Sequence, residues 1–172
     1  MNIVAFSNAF ENAIVVDVQP NLSVPVTSLP GLAILKLFAW LDRHYDRDVQ
    51  DIRKLIETYT DTGNVERLYE EENDELKRVG FDTILTGAYL LGKDMRRIME
   101  PKVGHTLYTL LPEKGLAELV RQLARTMSVM DDRTESAEAL LDALFRGMDQ
   151  RSCDTSLHRR FENWELPHLR GS

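Results

Sequence analysis

Residues 28–52 read Ser-Leu-Pro-Gly-Leu-Ala-Ile-Leu-Lys-Leu-Phe-Ala-Trp-Leu-Asp-Arg-His-Tyr-Asp-Arg-Asp-Val-Gln-Asp-Ile. Ser28 suits an N-cap and Pro30 the first turn, which predicts a helix from there to about Arg43. From Leu29 to Leu41 apolar side chains fall on every face, the pattern of a helix buried nearly all round. Lys36 is the single charge in that run. A buried ammonium is costly unless it is paired. It can snorkel, pair with a carboxylate, neutralise, or meet an anionic ligand in a cleft.

The next helix is predicted from about Asp46 to Tyr59, with Val49, Ile52, Ile56 and Tyr59 at helical spacing. At 100° per residue Asp48 falls inside the apolar stripe and Asp51 about 60° outside it. Both carboxylates face the core-facing side, where they can form one charged cluster with Lys36. Two readings follow. Asp48 and Asp51 have capping-box spacing, and acids suit a helix's first turn, so Lys36 can simply pair with one of them. Alternatively, the cluster lines a ligand cleft. From these residues alone the structural pairing is favoured. Asp46-Arg47-Asp48 also spells Asp-x-Asp, but on a helix the two side chains diverge by about 200°, which disfavours a metal site.

Working outward, Ile14–Val18 and Leu22–Val26 read as two strands around a Pro20-Asn21 turn, with Pro25 marking a sheet edge. Asp17 among them is expected to face outward. Residues 6–13 suggest one or two helical turns. Further helices are predicted at about Val65–Lys77, Thr83–Met99 (stopped by Pro101), Glu113–Met130 and Glu135–Met148. The expected fold is therefore α+β and mainly α. A small N-terminal β-hairpin or sheet edge (residues 1–27) precedes a bundle of about six helices (28–150). A polar, poorly ordered tail is expected over 151–172.

The 172 residues suit one domain. The formal net charge of -7 disfavours a broad nucleic-acid surface, although it does not describe a single cleft. No apolar run reaches the roughly 18 residues of a membrane span, and a cytoplasmic protein is expected. The single cysteine, Cys153, cannot build a disulfide framework. His44, His105, His158 and His168 show no ligand spacing. Arg96-Arg97 suits a helix C-terminus. Leu90-Leu91-Gly92-Lys93-Asp94 lacks the glycines of a phosphate loop.

The segment Ser28–Trp40, followed by Arg43 and by Arg47-Asp48-Val49-Gln50-Asp51-Ile52, resembles the later motifs of AbiEii-type nucleotidyltransferases. The resemblance continues through Leu68-Tyr69 and Gly87–Met95 and covers roughly residues 2–98. It implies that Lys36 contacts a nucleotide phosphate, with Arg43 or Arg47 adding contacts. It implies an acidic, catalytic role for Asp48, supported by Asp51, and it reverses the preference for a purely structural cluster. It also implies a nucleoside triphosphate and Mg2+ as cofactors. The family's Gly-Gly or Gly-Ser turn and metal-binding Asp-x-Asp strand are not found here, and Met1–Phe6 resembles an interior stretch of longer members. The chain is thus expected to be a truncated, split or excised form, inactive alone. Its partner would be the missing half. The alternative is a non-enzymatic helical interaction module that binds an antitoxin-like protein or another partner.

Overall fold

The computed structural model describes residues 3–128 and 134–149, with side chains described from residue 136 in the second stretch. Helix α1 (Ile3–Glu11) leads into an antiparallel hairpin, β1 (Ala13–Gln19) and β2 (Leu22–Thr27). Helices follow: α2 (Leu29–Arg43), α3 (Asp46–Tyr59), α4 (Val65–Glu70), α5 (Asn73–Arg78), α6 (Thr83–Ile98), α7 (Pro101–Thr109), α8 (Leu116–Ser128) and α9 (Thr134–Met148). The mainly helical fold with a small β element is as the sequence implied. Cys153, His158, His168 and the expected polar tail lie outside the described residues.

The opening stretch folds as its residues dictate. Ser28 caps α2, its Oγ accepting from the Gly31 N–H at 3.3 Å. No residue from Leu29 to Leu41 is exposed, because α1, α3 and α6 pack around α2. The chain leaves α2 through His44, whose φ of 53° is the left-handed C-cap conformation and whose ring stacks on Trp40.

Helix α6 is the central strut, touching α2, α3, α4, α5 and α9. Its closest neighbour is α9, and two glycines explain why. A Cβ on Gly92 would lie 2.0 Å from the Leu144 carbonyl oxygen, and one on Gly147 would lie 2.0 Å from the Tyr89 carbonyl oxygen. The backbones therefore touch, and any side chain at either position would force the helices apart.

Three differences from the sequence reading concern helices. The single helix expected over Val65–Lys77 is two short helices, α4 and α5, which dock separately. Leu68 buries under α4 and Leu76 under α5, while Glu72 between them turns in to pair with Lys93 of α6. Pro101 does stop α6, but as residue N1 it also starts α7, which buries Val103 and Leu107. Helix α8 starts at Leu116 rather than near Glu113, because Gly115 takes a φ of 72°.

Candidate functional site

The C-terminal half of α2 and the first turn of α3 meet at an ionic cluster. Asp48 is 1% exposed, as its place in the α3 stripe predicted. Arg43, in the last turn of α2, grips it with two prongs: Nε donates at 2.8 Å and Nη2 at 2.9 Å. Lys36 Nζ adds a 3.3 Å contact to Asp48 and a 2.6 Å contact to Asp51, which stands more open to solvent. The Arg43 guanidinium also lies over the Tyr45 ring, 5.0 Å from its centre.

These contacts set the charge states. The hydrogen bonds from Arg43, and then from Lys36, hold the Asp48 carboxyl below its ordinary value despite its burial. The Asp51 carboxylate, with Asp48 in support, raises the Lys36 ammonium above its ordinary value. Two cations, Lys36 and Arg43, thus stand against the carboxylates of Asp48 and Asp51, with Asp42 also acting on Arg43. The cluster forms one end of a cleft of about 450 Å3, whose walls are Ala5 and Phe6 of α1 and Leu32, Leu35, Phe38 and Ala39 of α2. Lys36, Asp42, Arg43 and Asp48 supply its polar rim.

The structure thus brings together Lys36, Arg43, Asp48 and Asp51. It does not bring in Arg47, which is exposed on the outer face of α3, one residue and 100° round from Asp48. Asp46 is likewise exposed, so the Asp-x-Asp pair points in two directions. Asp17 is exposed on β1 and accepts a hydrogen bond from Ser23. Among the described residues, no group of three or more His, Cys, Asp or Glu side chains converges to hold a metal ion. The donors around Asp48 therefore do not fit Mg2+: two cations already occupy its oxygens. The exposed N–H groups of Lys36 and Arg43 do fit a phosphate oxygen.

A second polar network escaped the sequence reading. Asp94 of α6, 4% exposed, accepts two hydrogen bonds from Arg67 of α4, at 2.7 and 3.1 Å, and one from the Tyr59 hydroxyl at 2.6 Å. Burial pushes the Asp94 carboxyl up, but the Arg67 and Tyr59 hydrogen bonds outweigh it and the net shift is downward. Burial and Asp94 together raise the Tyr59 phenol. Asp94 lies 27 and 35 positions from its partners, so no local spacing announced it.

No protein-family model matches the chain, and no curated protein or solved structure does. The resemblance to AbiEii-type nucleotidyltransferases therefore rests on the quoted motifs alone. No helix among the described residues is long and apolar enough to cross a membrane.

Proposed function

We propose that this chain forms the helical, phosphate-contacting part of a nucleotidyltransferase-type site. The observation that carries the reading is the placement of Lys36 and Arg43 together at the polar end of an apolar cleft. Lys36 offers a free ammonium proton and Arg43 a partly exposed guanidinium, and both suit phosphate oxygens. The apolar walls suit the base or sugar of a nucleotide. In this reading Asp48 and Asp51 orient the two cations and keep them charged. Asp48 is thereby a positioning residue rather than a proton acceptor, because its oxygens are engaged and its carboxyl is held low. No Mg2+ site converges among the described residues, so in this reading catalysis needs carboxylates beyond those of the cleft.

One observation favours a second reading, a non-enzymatic interaction module. Both cations already have carboxylate partners, and an ion-pair cluster joining two helices needs no ligand. Calorimetric titration with ATP and Mg2+ separates the two readings. The nucleotide reading expects saturable binding that Lys36→Ala weakens about tenfold, equal to about 1.4 kcal/mol. No heat from a folded chain, or binding indifferent to Lys36, sinks it and leaves the interaction module.

A further inference from the structure

The cleft beside the ionic cluster has a hydrocarbon part and a charged part, laid out along one face of α2. Leu32, Leu35 and Ala39 line it at i, i+3 and i+7 spacing. Lys36 and Arg43 continue the same face at i+4 and i+11. From Leu32 to Arg43 the helix rises about 16 Å, room for a base, a ribose and a phosphate end to end. The other wall comes from α1. Ala5, Asn8 and Ala9 seat that helix on the bundle. Phe6 lies 100° round from Ala5, on the flank that lines the cleft. Its side chain is 49% exposed, so part of an aromatic face is open to a ligand there.

The chemistry of these walls limits what they can tell apart. Their side chains are hydrocarbon, and the main chain of α2 between Leu32 and Ala39 is bonded within its own helix. Among the described residues that line the cleft, the polar side chains are Lys36, Asp42, Arg43 and Asp48. All four belong to the charged end, since Asp42 acts on Arg43. The bases differ in the donors and acceptors along their edges, and they share a flat π face. A site that hydrogen-bonds an edge rejects the wrong partner strongly, whereas an apolar wall separates similar ligands only weakly. Stacking on an aromatic ring is open to every base.

We infer that the cleft takes nucleoside triphosphates without regard to the base, which stacks on Phe6 while Lys36 and Arg43 hold the phosphate end. The inference rests on the nucleotide reading of the cleft and adds to it a binding residue on α1 and a lack of base selection. Phe6 then contributes equally to all four nucleotides and nothing to a bare phosphate chain.

The test is calorimetric titration of the full chain with ATP, GTP, CTP and UTP, each with Mg2+, and with inorganic triphosphate. The four nucleotide dissociation constants should agree within about tenfold, the purines binding more tightly through their larger rings. Phe6→Ala should weaken each nucleotide about tenfold and leave inorganic triphosphate unchanged. Phe6→Leu, which keeps bulk but has no π face, should weaken the nucleotides as well, and Phe6→Trp should restore them. Phe6 is half exposed, so melting curves of these variants should lie near that of the wild type, and Phe6→Leu decides the matter if Phe6→Ala does not fold. Nucleotide binding that needs Lys36 but differs more than about tenfold among the bases, or ignores Phe6, overturns this inference and leaves the nucleotide reading standing. No binding of any nucleotide by a folded chain, or binding indifferent to Lys36, overturns both.

Discussion

Asp48 and Asp94 are the same device in two settings. Each is a buried aspartate held by two prongs of an arginine from a neighbouring helix. Around Asp94 the third partner is Tyr59, a buried phenol that closes the network inside the bundle. Around Asp48 the third partner is Lys36, which lies beside a cleft. A gripped aspartate is therefore not a functional signal in itself. The partners' access to a ligand separates a brace from a candidate site.

Breaking the grip should cost most where water cannot replace it. Asp94→Ala leaves the buried Tyr59 hydroxyl without its acceptor and Arg67 with only Glu71 and Asn64, and a loss of about 3 kcal/mol is expected in chemical denaturation. Asp48→Ala frees Arg43, which is half exposed to water, and leaves Lys36 on Asp51, so about 1–2 kcal/mol is expected. Equal losses would erase the distinction between brace and site. Tyr59→Phe removes one neutral donor, and about 1 kcal/mol should go with it, by the same measurement. Lys36→Ala leaves Arg43 on Asp48, and a change in stability under about 1 kcal/mol is expected even if nucleotide binding falls tenfold.

Acid sharpens the comparison further. Both carboxyls are held below their ordinary values in the folded chain. The stability each contributes is present above the unfolded value, about 3.9, and is lost as the pH falls from there through the folded value. Melting temperatures recorded downward from about pH 6 should drop for the wild type below about pH 4, and less for Asp94→Asn and for Asp48→Asn. An undiminished acid loss in both variants would show that other carboxylates govern it.

The first of these sites was legible in the sequence and the second was not. A count of 100° per residue placed Asp48 on the core side of α3, and the unbroken apolar run of α2 made Lys36 conspicuous. The same count puts Arg47 on the outer face, so its inclusion came from motif resemblance over geometry. Asp94 sat within a segment read for phosphate-loop glycines, and its partners are distant in sequence. The break between α4 and α5 was hidden for a similar reason: tertiary ties from Glu72 to Lys93 and from Glu75 to Arg146 hold the two pieces. Helix α7 had a usable signal that was missed, a proline at N1 followed by Val103 and Leu107 at i, i+4 spacing. The strands were readable from their β-branched residues and the Pro20-Asn21 turn. That their apolar side chains stay uncovered was not.

The contact between Gly92 and Gly147 works as a key in a notch. A single inserted residue ahead of Gly147 in α9 would rotate the notch by 100° and bring a side chain against the bare backbone of α6. Helix α9 can therefore neither slide nor be lengthened internally. A shortened chain that ended before it would also leave α6 with a strip of uncovered main chain beside Leu91 and Met95. Helix α9 thus reports on the integrity of α6 and α8, the two helices it seats against.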